Sequence, residues 1–455
     1  MEEMHVLLRN RGKIIPTDAK SYMSVGGYVA LKKALSMEGA EIIQVLKDAG
    51  LRGRGGAGFP TYLKLQFAYN TQSDEKYIVC NADEGEPGTN KDRVLLSEDP
   101  NSIFEGMAIA AKAIGAHKGF IYLRSEYPYI RPILIEALES ARQAGCLGKN
   151  ILGSGYDFDI ELHSGAGAYV CGEETALFES IEGNRGEPRF RPPYPGTKGL
   201  FGKPTALNNV ETLANIPPIL LNGAEWYRSI GSPNSPGTKL FTVCGNVNKR
   251  GVFEFPMGVN LKDILYDVCG GVADGELLAV QTGGSSGAII NPDQIDLPLD
   301  IDHVSASGGR LGCGTILVIN DKNCVVDIVK NNLDFFRSEG DDWGANLNAY
   351  FPRPILDGGK NQKKQTRYLQ NAAYLRLKNL QIGYTLPASL TNKAGLSKLR
   401  VFLSVENLFT ISGLPDSFDP ETLGSGYGNW NGAVTESAKS YPLSRTVSTG
   451  LSVTF

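Results

Sequence analysis

From Gly50 to Thr61 the chain reads GLRGRGGAGFPT, a run too rich in glycine for helix or strand, because each glycine loses more backbone freedom in either element than any other residue. Any fold this chain adopts must therefore hold an irregular loop here, and the small residues crowded before Phe59-Pro60 let another group come close to the backbone. Gly53, Gly55 and Gly58 satisfy G-x-G-x-x-G, but the dinucleotide fingerprint needs a strand before it and a helix after it. Here residues 23–50 read as helix, with Leu31, Leu35, Ile42, Ile43, Val45 and Leu46 at helical spacing, and the sequel FPTYLKLQF is only ambiguously helical. The loop reads instead as a cradle of backbone N–H groups for a phosphate- or flavin-bearing ligand, with Arg52, Arg54 and Lys64 adding positive charge. A plain surface loop is the alternative.

Around it the texture alternates. A short β run at Tyr77–Cys80 ends in the acidic turn NADEGEPG. Helix is expected over 103–116 and 131–145, and strand over 118–127. That alternation implies an α/β layer with a largely parallel sheet. A second glycine-rich stretch, SGAGAYVCGEETALFESIEG, reads as a strand end over Ala168–Cys171 followed by a helix from near Glu174. From about Lys239 the pattern is that of a small α+β unit, and Val325, Val329, Leu333 and Phe336 give 322–339 one apolar helical face. Beyond Glu339 the period becomes two: Leu380, Ile382, Tyr384 and Leu386, then Leu399, Val401, Leu403 and Val405, then Val447, Leu451, Val453 and Phe455 alternate with mostly polar or small residues. Long polar loops separate these runs, a weak sign of outer-membrane barrel strands. An antiparallel sheet with one wet face is the plainer reading.

A formal charge of −4 argues against a nucleic-acid binder relying on bulk positive charge. No apolar run is long enough for a membrane helix, and Met1–Lys13 lacks the basic and apolar segments of a secretory signal. The seven cysteines are scattered, with no C-x-x-C pair, and so are the four histidines. Reduced thiols, a cytoplasmic setting and no metal site are expected. In NADEGEPG, Asp83, Glu84 and Glu86 must be solvated or bonded to N–H donors and hydroxyls, since they would repel one another in a dry site. No catalytic acid, base or nucleophile stands out, which suits hydride transfer carried out by a cofactor.

Taken together, GLRGRGGAGFPTYLK, NADEGEPGTNKDR, AYVCGEETALFESIEGNRGEPRFRPPYP and GKPTALNNVETL resemble the NADH-binding flavoprotein subunit of respiratory complex I and the diaphorase subunits of NAD-linked hydrogenases. The resemblance covers about residues 5–339. It implies an α/β fold with a modified Rossmann-like FMN domain over 1–238, a small β-grasp-like α+β domain over 239–321, and over 322–339 the start of an iron–sulfur helical domain. It implies that FMN is held by Gly53, Gly55, Gly56, Lys64, Asn81, Asp83, Glu84, Gly172, Glu173, Asn208 and Asn209. NADH is then held by Phe59, Phe67, Glu86, Glu174, Arg191 and Tyr194. Family partners are a thioredoxin-like 2Fe–2S subunit and a larger iron–sulfur subunit. Tyr62 stands where the family usually has glycine, and Arg191 and Tyr194 replace the commoner lysine and phenylalanine. Glu174, beside the adenosine ribose, is expected to disfavour NADPH.

The family continues with a cysteine-rich segment that holds a 4Fe–4S cluster. This chain reads GDDWGANLNAYFPRP instead, and no cysteine follows Cys324. From there NAYFPRP, NAAYLRLKNLQIGYTLP, LRVFLSVENLFTIS and YPLSRTVSTGLSVTF resemble the last strands of a SusC/RagA-type TonB-linked outer-membrane receptor. The resemblances together imply a flavoprotein passing hydride from NADH to FMN, lacking its 4Fe–4S domain, with an incomplete antiparallel β segment over 340–455 joined near Ser338–Asp342. That segment would be its only membrane contact. The alternatives are a receptor fragment with an accidental fusion, and an inactive chimeric remnant.

Overall fold

Strand β1 (Tyr77–Ala82) is buried along almost its whole length, and period-two alternation divides its side chains between two cores. Ile78, Cys80 and Ala82 enter one cluster and Tyr77 and Val79 the other. A strand apolar on both faces belongs in a sheet covered on both faces. The computed structural model, which describes residues 2–284, 287–322, 374–391, 396–412 and 446–454, bears this out. β1 pairs in parallel with β2 (Lys118–Leu123) and with β4 (Thr205–Asn209), and β2 pairs in parallel with β3 (Asp159–Ser164). The sheet order is β3-β2-β1-β4.

The covering helices follow from their ends as much as from their faces. α6 (Pro100–Ile114) starts where Asp99 accepts the Ser102 N–H and Pro100 takes the first turn, and it stops at Gly115 with φ 77°. It is buried on nearly every side, and Gly106 explains how: a Cβ there would lie 2.1 Å from the Leu213 carbonyl oxygen. The helix expected over 131–145 is α7 (Ile130–Gln143), which buries Leu134, Ala137, Leu138 and Ala141 in the same core. On the other face α8 (Glu174–Ile181) contributes Leu177, Phe178 and Ile181 to the second core.

Two expectations need correction. The single helix over 23–50 is three: α1 (Ala19–Ser24), α2 (Val29–Leu35) and α3 (Gly39–Ala49). Gly26 takes φ 91°, a side chain at Gly27 would strike the Tyr22 ring at 2.1 Å, and a Glu38–Glu41 capping box restarts the chain as α3. Ala168–Cys171 is not a strand end. β3 is the sheet edge and stops at Ser164, and Tyr169–Gly172 forms a 3-10 turn.

The second sheet is built from β5 (Thr238–Gly245), β6 (Gly251–Pro256), β7 (Leu277–Thr282), β8 (Ile289–Ile290) and β9 (Thr315–Asn320), in the order β8-β7-β9-β5-β6. β5 and β6 form a hairpin, and β9 lies parallel to β5 and antiparallel to β7. Its core gathers Phe241, Val243, Phe255, Leu261, Val280 and Ile316. The buried carboxylate of Glu254 on β6 accepts the N–H groups of Val6, Leu7 and Leu8, tying the first residues of the chain to this sheet.

The chain divides into two compact units, Met1–Val325 and Val326–Phe455. Within the second, β10 (Tyr374–Thr385), β11 (Lys398–Ser412) and β12 (Thr446–Thr454) form an antiparallel sheet with β11 central. The alternating runs expected there are strands. Register places Ile382 opposite Leu403, Tyr384 opposite Val401, and Val401 opposite Leu451, so one face is an apolar ladder broken at Thr449, opposite Leu403. The other face pairs Gln381 with Ser404 and Ser404 with Ser448. The helix expected over 322–339 and the junction near Ser338–Asp342 lie outside the described residues, apart from Lys322. Among the described residues no helix is long and apolar enough to cross a membrane.

Candidate functional site

From β1 the chain crosses to β2 and on to β3 on one side, and β4 then pairs on the other side of β1. The carboxyl ends of β1 and β4 therefore flank a switch point, where open α/β sheets bind their ligands. Asn81 is the next-to-last residue of one strand, and Asn208 and Asn209 end the other. A cavity of about 830 Å³ opens there, within the usual range for a cofactor site.

One wall is the glycine loop between α3 and α4 (Thr61–Asn70), contributing Gly53, Gly55, Gly58 and Phe59, with Lys64 and Phe67 from α4 itself. The segment read as ambiguously helical is thus a helix. The loop comes so close to β4 that a Cβ on Gly55 would lie 2.9 Å from Asn209 Cβ. Asn209 is fixed in turn: its Nδ2 donates to Asp92 Oδ2 at 2.7 Å, and its Oδ1 accepts the Glu211 N–H at 3.1 Å and Lys91 Nζ at 3.1 Å. Asn208 is buried, and its Nδ2 has no hydrogen-bond partner.

The opposite wall is the start of α8 and the loop after it. Glu173 caps α8, accepting the Thr175 and Ala176 N–H groups at 2.9 Å, the favourable place for a carboxylate against the helix dipole. Glu174 Oε2 accepts Lys64 Nζ at 3.0 Å, and its Oε1 accepts Arg191 Nη1 at 2.6 Å. Arg191 Nη2 reaches Glu173 Oε1 at 2.9 Å. Lys64 also donates to the Leu207 carbonyl at 3.1 Å. Phe59, Phe67 and Tyr194 are exposed at the cavity.

Of the residues singled out in the sequence, the cavity brings together Gly53, Gly55, Lys64, Asn81, Gly172, Glu173, Asn208 and Asn209 with Phe59, Phe67, Glu174, Arg191 and Tyr194. The rest lie off its lining. Gly56 has φ 131°, and a Cβ on it would sit 3.9 Å from the Gly312 carbonyl carbon. Glu84 is buried and accepts the Asp92 and Arg93 N–H groups and the Tyr127 hydroxyl; burial pushes its carboxyl up to about 7. Asp83 keeps one oxygen buried without a partner. Burial raises its carboxyl to about 6 against the pull of Arg124. Glu86 accepts the Tyr169 hydroxyl at 2.5 Å.

The positive charge expected of Arg54 does not reach the cavity lining. Its guanidinium is buried and donates to the Tyr227 hydroxyl and the Pro236 carbonyl. Arg52 likewise spends its Nε on the Gly58 carbonyl. Sequence reasoning missed Thr212, which lines the cavity and whose hydroxyl accepts the Arg54 N–H at 2.8 Å; the Pro/Gly loop over 191–205, which the sequence marks as pinned by packing or ligand, contributes Pro195, Gly196 and Thr197 to the lining. Among the described residues no group of three His, Cys, Asp or Glu is placed to hold a metal ion.

Residues 46–218 match the family profile of the Nuo51 FMN-binding domain. Over 339 residues the chain is 47% identical to the NADP-reducing hydrogenase subunit HndC of Solidesulfovibrio fructosivorans, covering 74% of this chain and 69% of that protein. Over 340 residues it is 44% identical to the F 2 subunit of the NADH-quinone oxidoreductase of Rhizobium meliloti, covering 73% of this chain and 80% of the relative. A solved NAD+-reducing NiFe hydrogenase in its H2-reduced state superposes with a TM-score of 0.62 at 42% identity, covering 72% of this chain. This chain spans about half of that one, 52%.

Proposed function

The chain belongs to the family of NADH-quinone oxidoreductase F subunits and their hydrogenase counterparts, and we propose on that premise that it oxidises NADH by passing a hydride to FMN in the switch-point cavity. The observation that carries the reading is the convergence of both glycine-rich stretches and both strand ends on one cavity. The residues there fit a flavin mononucleotide. Asn208 offers a buried amide N–H without a partner, the glycines leave no side chain between backbone and ligand, and Lys64 supplies a cation.

Gly53, Gly55, Lys64, Asn81, Gly172, Glu173, Asn208 and Asn209 would hold the cofactor, with Gly56, Asp83 and Glu84 supporting them from behind the lining. When bound, FMN supplies a two-electron acceptor for the hydride. Phe59, Phe67 and Tyr194 offer aromatic faces on which the rings of NADH stack, which excludes water from them. Glu174 and Arg191 offer the polar contacts that orient the nucleotide, and Glu86 borders the site through its bond to Tyr169. No side chain here need take or give a proton in the transfer, so the protein's work is to bind and orient.

We read residues 1–238 as the FMN domain and 239–321 as a β-grasp-like domain; a hairpin whose first strand lies beside a parallel last strand supports the latter. The 340–455 segment we propose to be foreign, derived from the end of an outer-membrane barrel; its alternating strands and the relatives' coverage of 73–74% of this chain support that. The family setting supports a cytoplasmic place and iron–sulfur partner chains for the flavoprotein part.

Titration of the purified full chain with FMN tests the central claim. One equivalent should quench flavin fluorescence, and NADH should then bleach the bound flavin. Monodisperse protein that neither quenches the flavin nor oxidises NADH overturns it.

A further inference from the structure

Both carboxylate oxygens of Glu174 are already taken, one by Arg191 at 2.6 Å and one by Lys64 at 3.0 Å. Arg191 also holds Glu173 at 2.9 Å. Two cations thus face two carboxylates, and the group is neutral as a whole. An isolated Glu174 would repel a phosphate; a Glu174 between two cations does not carry that field outward.

The two cations differ in their anchorage. Lys64 is tied back to the Leu207 carbonyl, whereas the Arg191 side chain is 37% exposed at the cavity. We infer that Arg191 forms a subsite for the 2′-phosphate of an adenine nucleotide, so that the cavity accepts NADPH as well as NADH. The inference rests on the nucleotide reading given above. A guanidinium fork matches a phosphate in two parallel hydrogen bonds. When Arg191 turns from the carboxylates to a 2′-phosphate, Glu174 keeps Lys64 as its counter-ion and Glu173 keeps the two N–H groups of α8. No buried charge is stranded by the exchange. Glu174 alone, as read from the sequence, points to exclusion; Glu174 in its ion pairs does not.

The test compares adenosine 5′-monophosphate with adenosine 2′,5′-bisphosphate by calorimetric titration of the full chain. The two ligands differ only in the 2′-phosphate, and neither carries a hydride. The bisphosphate should bind at least as tightly as the monophosphate, with the steeper salt dependence. Arg191→Leu should weaken the bisphosphate tenfold or more beyond its effect on the monophosphate, and Arg191→Lys should restore part of the loss. The NADPH-to-NADH ratio of kcat/KM should fall in parallel. Native protein binding the bisphosphate tenfold more weakly than the monophosphate, or equal losses for both ligands in Arg191→Leu, overturns the subsite. If neither ligand binds the native chain, the nucleotide reading itself fails and the subsite falls with it.

Discussion

Lys239 on β5 meets Glu211, in the helix that follows β4, at 2.6 Å in the interior of the protein. Glu211 also holds Lys91 at 3.0 Å and accepts the Leu240 N–H at 2.9 Å. One carboxylate thus joins the parallel sheet, the start of α5 (Lys91–Glu98) and the second sheet. Burial alone raises its carboxyl, but Lys239 and Lys91 outweigh burial and hold it below the usual range.

Glu211→Gln should therefore cost far more than a surface pair would. It leaves the buried Lys239 ammonium without a counter-ion and Lys91 with Asp92 alone, a loss of about 3–5 kcal/mol, read as a lower denaturant midpoint. Because the folded carboxyl titrates below its unfolded value, its contribution is present above about pH 4.3 and is lost as the pH falls through the folded value. The native protein should show this acid loss and the variant should not. Lys239→Met in the Glu211→Gln background should recover part of the stability, and additive losses would refute the pairing.

Asp83 predicts the opposite pH response. Its carboxyl is raised to about 6 by burial, with Arg124 opposing and Glu126 adding to the rise. A raised carboxyl favours folding below the unfolded value near 3.9, and that advantage is lost as pH rises through about 6. Asp83→Asn should thus stabilise the flavin-free protein at pH 8 by about 1–3 kcal/mol, discounted for partial exposure, and the gain should vanish toward pH 4. Thermal melts across that range decide it; a gain independent of pH would mean that the buried charge is not the cause.

Gly55→Ala tests the close approach of the loop to β4. The added Cβ would lie 2.9 Å from an Asn209 held by Asp92 and Lys91, so the loop must retreat. Flavin affinity should fall at least tenfold, about 1.4 kcal/mol, while the melting temperature of the flavin-free chain moves little. Unchanged affinity would place the flavin elsewhere.

With no cysteine beyond Cys324, we expect the purified chain to carry flavin without stoichiometric iron and to pass electrons to ferricyanide but not to a quinone. Elemental analysis and spin resonance after NADH reduction check this. A stoichiometric reduced-cluster signal would refute it.

What the sequence made legible follows from how local each signal is. The helix over 131–145 shows in its period because burial there repeats at about 3.6 residues, whereas the strand at Tyr77 and the helix over 103–116, buried on nearly every side, show as apolar runs of strand and helix length. The glycine loop was separable from a dinucleotide fingerprint because the helix before it, α3, is amphipathic and capped. Direction was not legible. Arg54 reads as charge for a ligand, yet its guanidinium turns away to Tyr227, 173 residues further along the chain. The acidic turn reads as one cluster but divides into three environments: Glu84 accepts the N–H groups that open α5, Asp83 keeps an oxygen without a partner, and Glu86 bonds Tyr169. Glu174 reads as a nucleotide-binding carboxylate only through the family resemblance, and its two cations are not legible at all, since Lys64 lies 110 residues away in sequence. Nor is Thr212, which lies in the quoted GKPTALNNVETL segment but contacts the glycine loop 158 residues away in sequence.

The apolar ladder of the three-stranded sheet sets how the full chain behaves in a tube. Ile382, Tyr384, Val401, Leu403, Val447 and Leu451 are all exposed on one face. A patch of that kind, bordered by strand edges, adheres to detergent micelles, to column resin and to other molecules of the same chain. Light scattering should therefore rise with protein concentration and fall when mild detergent is added, whatever the occupancy of the flavin cavity. Purification and storage of the full chain should depend on these three strands, none of whose residues lines the cavity.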